Sequence, residues 1–299
     1  MIIVTLVVTL AASMVWQQWR AVQVEVAERS RLQSSWILSG ALDWAKLILR
    51  EDAKTGGADH LGEPWAVPLA EARLSTFLAV DKDNNTDDGP EAFLSGSIID
   101  VQSRYNILNL LDSEFKVVPK QVEAFKQLLR AINVSADVAD RVATNLRDAL
   151  AKGGGQSAPL LPRSISQLTW FGIDDDSIRL MKTYVTILPV PTPVNANTAP
   201  AEVLLAALPG LDLGTAQRIV QTRQRSPFRS TAEVLSLVPK TVADAVLPTQ
   251  LNVSTAFFEV RGRLRLADRV LEESSLVERQ GTTVLVLSRQ RENSRESSE

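Results

Sequence analysis

Asp81, Asp83, Asn85, Asp87 and Asp88 crowd oxygen-bearing side chains into one short stretch, Asp81 to Pro90. Their alternating spacing offers the carboxylate and amide oxygens that a hard cation such as calcium requires. The stretch is not an EF-hand. Thr86 stands at position six, where Gly makes the turn, and Ala92 at position twelve, where a bidentate Glu closes the loop. A solvated acidic turn accounts for the same residues, because Asp, Asn and Gly favour turns without any metal. With Lys82 the only cation among them, the carboxylates repel one another unless they are neutralised or splayed into water. Both readings stand on the residues alone.

Other chemistry is poorly supplied. The chain has no cysteine, which excludes disulfides and thiolate chemistry, and one histidine, His60, which excludes a Cys/His zinc site. Asp174-Asp175-Asp176 and the scattered serines offer no base with an orienting partner. Gly153-Gly154-Gly155 lacks the Lys-Ser/Thr of a phosphate loop and reads as a linker. No enzyme is expected, with no catalytic or cofactor-binding residue. Arg261, Arg263 and Arg265 could bind an anion, but a solvated strand face explains them as well. The net charge of −3 and pI of about 5.5 create no global field for nucleic acid.

The segment Leu208-Pro209-Gly210-Leu211-Asp212-Leu213-Gly214-Thr215-Ala216, followed by Ile219, Arg223 and Pro227-Phe228, resembles a helix–hairpin–helix module. Such modules hold DNA phosphates with hairpin backbone N–H groups, which needs Gly for close approach. Asp212 replaces the second hairpin Gly and sets a negative charge there, whereas Arg218, Arg223, Arg225 and Arg229 would favour DNA. A membrane-anchored periplasmic DNA-binding protein is therefore the alternative reading; nucleic acid is not the expected partner.

The elements that position these groups start with one long helix. Residues 1–19 carry no charge and span about 28 Å as a helix, close to the thickness of bilayer hydrocarbon. The helical pattern continues to about Asp52, with Ile37, Ala41, Trp44 and Ile48 forming an apolar stripe expected to pack on the body. The first helix-stopping pair is Gly56-Gly57. Phe93–Ile107 reads as strand, and from about Ser113 the period becomes helical over 118–132 and 136–152. Further short helices are expected around 164–170, 174–182, 199–208, 214–225, 230–237 and 241–246, with Ser230 and Glu233 in capping-box form. Period two returns in Phe258–Leu266, and Val284–Leu287 is a last strand. The fold class is α+β: the two strand regions complete one antiparallel sheet packed on the first helix, and an all-α block is inserted between strands. Domain limits follow as 1–19 for the membrane half of the helix, 20–112 for its remainder with the first strands, 113–249 for the helical insertion, 250–288 for the last strands, and 289–299 for a disordered tail.

That order, with specific residues, resembles the type II secretion pseudopilin K family (general secretion pathway protein K). The matching segments are the apolar run ending in Ala11-Ala12, Gly40-Ala41-Leu42-Asp43-Trp44-Ala45, Glu63-Pro64-Trp65-Ala66, Ile99-Asp100 with Arg104–Leu110, and Val194-Asn195-Ala196-Asn197-Thr198-Ala199. The resemblance implies a pilin-like fold and a minor component that caps a periplasmic pseudopilus. It implies an inner-membrane anchor and, as partners, pseudopilins I and J, with H of the same system. It also implies a basic leader ending in Gly, removed from the precursor by a prepilin peptidase. Taken alone, Arg20, Arg29 and Arg31 would place the C-terminal side in the cytoplasm; such a leader would carry the opposing positive charge. Most pilin-like subunits have a glutamate near mature position five, whereas the first acid here is Glu25. Pseudopilin K resembles this chain in lacking it, which suits a subunit at the tip. The family's use of calcium to order loops adds weight to the calcium reading of Asp81–Asp88.

Overall fold

The computed structural model describes residues 1–74, 92–151, 159–247, 249–266 and 269–295. The acidic stretch Asp81–Asp88 lies outside the described residues.

Helix α1 runs unbroken from Ile2 to Thr55. No proline interrupts it, and a single Gly40 costs too little to break so long a helix. It ends where glycine permits positive φ: Gly56 at 66° and Gly57 at 119°, with the Gly56 N–H closing on the Asp52 carbonyl. The stripe that α1 buries is Ser34, Leu38, Leu42, Ala45 and Leu49. The expected stripe, Ile37–Ala41–Trp44–Ile48, is one residue out of phase: Ile37, Ala41 and Ile48 flank the contact and Trp44 is exposed. Both sets share the same spacings, and what chooses between them is the shape of the sheet.

That sheet has five antiparallel strands in the order β1 (Leu69–Arg73), β2 (Ala92–Asp100), β7 (Phe257–Leu266), β8 (Arg269–Gln280), β9 (Thr283–Arg295). Phe258, Val260, Gly262 and Leu264 of β7 face α1, as alternation requires. At Gly262 a Cβ would lie 3.1 Å from Leu38 Cδ2, so this glycine lets the helix sink closest to the sheet. Gly96 lies opposite it in the register, where a Cβ would meet the Arg261 carbonyl oxygen at 2.8 Å. The outer face carries the Arg261–Arg263–Arg265 row, and each arginine is paired: Arg261 with Glu259, Arg263 with Glu71 and Glu272, Arg265 with Glu71. Among the described residues, pairing of opposite charges along and across the strands describes this face.

Strand β8 was not expected, and β9 continues to Arg295 where a disordered tail from Arg289 was expected. The Glu-Glu-Ser-Ser centre of β8 hides its alternation. Pairing partners, including Glu273 with Arg291 across β8 and β9, hold both strands in place. Gly281, at φ 58°, turns one into the other.

Between β2 and β7 lie the helices: α2 (Pro119–Ala131), α3 (Asp137–Leu150), α4 (Asp175–Met181), α5 (Ala201–Ala207), α6 (Leu213–Arg225), α7 (Thr231–Leu235) and α8 (Lys240–Ala243). They share one apolar core around Phe125, Leu128, Val142 and Leu204, distinct from the core under α1. Two short parallel pairs, β3 (Tyr105–Asn106) with β4 (Val185–Thr186) and β5 (Val194–Asn195) with β6 (Leu251–Asn252), fasten the block's loops. Ser230 caps α7 by accepting from the Glu233 N–H, while the Glu233 carboxylate reaches back one residue past Ser230 to the Arg229 N–H, a variant of the capping box its spacing suggests.

The phase of α1 gives a direct test. Leu42→Ala should destabilise the detergent-solubilised chain by about 2–5 kcal/mol, as for other buried leucines. Trp36→Ala, on the opposite exposed side, should change stability by less than about 0.5 kcal/mol. Urea denaturation of the two variants beside the parent chain measures both.

Candidate assembly surface

Helix α1 carries a second stripe. Leu32, Trp36, Gly40, Trp44 and Leu47 recur at three- and four-residue steps, and at 3.6 residues per turn their centre lies opposite the sheet-facing stripe. Trp36 is 77% exposed and Trp44 51%, and Leu32 and Leu47 are exposed with them. Gly40 between the two indoles has nothing within 4 Å of a would-be Cβ, leaving a shallow notch between two large rings. An apolar row of this size on a soluble surface marks an interaction site.

The end of α1 is locked to the body by one arginine. Arg279 of β8 donates to Asp52 and to Asp59, each at 2.5 Å, and to the Thr255 carbonyl at 2.9 Å, while its guanidinium stacks 4.9 Å from the centre of the Phe258 ring. Burial raises the Asp59 carboxyl above the usual range against the pull of the Thr255 N–H and Arg279. Burial also raises Glu63, which accepts from the His60 N–H and the Trp65 indole. Asp52, Asp59 and Glu63 stand close enough for a metal ion, but the guanidinium already supplies a cation to the two aspartates. His60 is a loop residue whose Nδ1 accepts from Gly62.

A second lock holds the neck through which the helical block leaves the sheet. Asp100, fully buried at the end of β2, accepts from Thr198 Oγ1 at 2.5 Å, Asn195 Nδ2 at 2.9 Å and the Gln102 N–H at 2.7 Å. Burial pushes its carboxyl up to about 6 against these hydrogen bonds. Asn195 also donates to the Asp59 carbonyl, which joins the two locks. Gln102 bridges the Pro193 carbonyl and the Ala256 N–H. Asn197 exchanges two hydrogen bonds with the backbone of Phe228. Val194–Ala199 is thus a bracket between sheet and helices. Neither Asp100 nor Arg279 stood out in the sequence as a site; the only signal was the segment Ile99-Asp100 and, far away, Val194–Ala199.

The same bracket accounts for the helix–hairpin–helix residues. Asp212 occupies the N-terminus of α6, accepting from the Thr215 N–H and hydroxyl, and these bonds hold its carboxyl below the usual range. A carboxylate therefore fills the place of a phosphate. Arg223 is buried and donates to the carbonyls of Ala196 and Ala199; burial lowers it to about 10, which leaves it cationic. Arg218, Arg225 and Arg229 are exposed. Asp174 caps α4 through Ser177, and Asp176 pairs with Arg179.

A family model described as "Type II secretion system (T2SS), protein K" matches residues 194–254, which contain the bracket, the hairpin and β6. Type II secretion system protein K of Pseudomonas aeruginosa is 28% identical, over 90% of this chain and 83% of its own length. The protein of that name from Pectobacterium carotovorum subsp. carotovorum is 28% identical, over 97% of this chain and 93% of its own. The chain is similar to type II secretion system protein K along most of its length. In fold it is similar to a chain in the crystal structure of the GspK-GspI-GspJ complex from the enterotoxigenic Escherichia coli type 2 secretion system. That match has a TM-score of 0.69 at 20% identity and covers 90% of this chain and 99% of the other. The long helix on a five-stranded antiparallel sheet, with helices between β2 and β7, is a pilin-like fold. Its apolar N-terminal helix is consistent with a single-pass inner-membrane anchor.

The neck predicts a pH response. Asp100 rises from 3.8 unfolded to about 6 folded. The folded state therefore binds the extra proton, and its charge penalises folding above pH 6. As pH falls from 7 through 6 towards 4, stability should rise by on the order of 3 kcal/mol from this group. Asp100→Asn should flatten that part of the curve, as read from urea midpoints at each pH.

Proposed function

We propose that this chain is a minor pseudopilin that caps the tip of the periplasmic pseudopilus of a type II secretion system. It would act with pseudopilins I and J, with H below them, and support export of folded proteins across the outer membrane. Residues 1–19 of α1 anchor it in the inner membrane before assembly, and the ectodomain faces the periplasm. The observation that carries this reading is the two-sided helix. One stripe of α1 is used up by its own sheet, while Leu32, Trp36, Trp44 and Leu47 remain exposed on the opposite side. A neighbouring subunit's apolar helix fits that row, with a side chain entering at Gly40.

Mixing the full chain in detergent with its own system's pseudopilins I and J should give a ternary complex of defined mass on light scattering. Trp36→Ala with Trp44→Ala should weaken it roughly 30-fold or more, the cost of losing central aromatic anchors. Their circular dichroism should match the parent's, since neither side chain supports the body. No association at micromolar concentrations would sink the reading.

Calcium at Asp81, Asp83, Asn85, Asp87 and Asp88 is a separate proposal supported by the residue pattern. Millimolar calcium after chelator treatment should raise the melting temperature, by mass action on the folded state. The rise should vanish in Asp83→Ala with Asp87→Ala. An identical transition with and without calcium leaves a solvated acidic turn.

A further inference from the structure

Trp16 and Trp19 stack on α1 with ring centroids 5.4 Å apart and planes 28° apart, and both are more than half exposed. With Ala12 and Val15 they line one apolar recess, the i, i+3, i+4, i+7 pattern of a single helix face. On their N-terminal side, residues 2–15 carry no charge. At their own level the helix turns polar on its other faces through Gln17 and Gln18, and Arg20 is the first charged residue. An indole joins a broad apolar body to one N–H donor, so it sits best where hydrocarbon meets water. An arginine one position further can lay its stem along the same boundary and keep its head in water.

We infer that the Trp16–Trp19 pair is the interfacial anchor of α1, seated between the headgroups and acyl chains of a phospholipid bilayer, and that it sets how far the body stands from the membrane. This rests on the reading of α1 as a membrane helix and adds its depth. Ser34 is the first buried residue of α1, fifteen residues beyond Trp19, so about 22 Å of helix separates them. Residues 20–33 of that stalk are largely exposed, and Arg29 pairs with Glu25 along it at i, i+4. Because no glycine or proline occurs between Trp19 and Ser34, the stalk is stiff and the anchor's depth is passed on to the sheet.

The absence of cysteine makes the test clean. The full chain, carrying one cysteine at a time (Ala12→Cys, Ala21→Cys or Val24→Cys), is labelled with a nitroxide. It is then reconstituted in vesicles of phosphatidylethanolamine and phosphatidylglycerol. Oxygen, which concentrates in hydrocarbon, and a water-soluble nickel chelate serve as relaxation agents. The label at residue 12 should respond mainly to oxygen and that at 24 mainly to nickel, with the crossover near 16–20. Trp16→Ala with Trp19→Ala should move the crossover by a helical turn or more. A crossover beyond residue 24, or one unmoved by the double substitution, overturns the anchor while leaving the membrane helix intact. A label at 12 shielded from both agents overturns it too, since protein would then cover the pair. Nickel-dominated relaxation at all three positions would overturn the membrane reading itself.

Discussion

The register of β2 with β7 pairs Asp100 directly with Phe258, so the helical block leaves the sheet and re-enters it through adjacent strand ends. A block that large on so narrow a neck would swing unless something fixed its angle. The buried Asp100 carboxylate does so by collecting donors from three places: its own strand end, the Asn195–Thr198 turn and, through Gln102, the approach to β7. A charge in an apolar setting is tolerated only while those donors stay in place. The neck is therefore specified, not merely packed, and its cost appears as the raised carboxyl. Arg279 does the converse work a few residues away. It neutralises Asp52 at the end of α1 and Asp59 in the following loop, so helix, sheet and neck meet at one connected polar cluster. Removing Arg279 would strand two largely buried carboxylates, whereas removing either acid would leave the guanidinium a partner.

Around that cluster α1 has to satisfy three environments along one axis. Its first turns are apolar on every side, its middle interleaves charged residues with exposed Val22, Val24 and Val26, and its last third is apolar on two opposite sides. The inner of those sides is paid for by the sheet, at the point where Gly262 and Gly96 thin the strands enough for Leu38 to settle. The outer side gains nothing from the chain's own fold. Continuity of the helix is what couples the three: with no hinge between Trp19 and Gly40, where the first part sits decides where the last part faces.

Much of this was legible in the sequence because the signals are local. Length and charge pattern show α1, alternation shows β7, and the change of period from two to helical and back shows the helices between strands. The phase of the α1 stripe was not legible, since 37/41/44/48 and 38/42/45/49 satisfy the same spacing and only contact with Gly262 separates them. Strand β8 was hidden because Glu273 and Ser275 point inward, inverting the usual polar-out rule; Glu273 is made tolerable by Arg291 from β9. The polar run after Arg289 reads as a tail for the same reason, although its Arg291 pairs with Glu273 of the neighbouring strand. Asp100 could not be seen as chemistry at all, because its partners Asn195 and Thr198 lie 95 and 98 residues away.

The hairpin at Gly210–Thr215 shows how a binding motif's parts can be turned to scaffold use. A helix N-terminus with free N–H groups attracts an anion. Here the chain supplies its own in Asp212, bonded to the N–H and hydroxyl of Thr215. The cation that could have met a phosphate, Arg223, points inward and grips the carbonyls of Ala196 and Ala199 instead. Those carbonyls belong to the bracket whose Asn195 and Thr198 hold Asp100. The hairpin thus stiffens the back of the same turn whose front fixes the neck. Charge that would otherwise recruit a polyanion is spent on the angle between the helical block and the sheet.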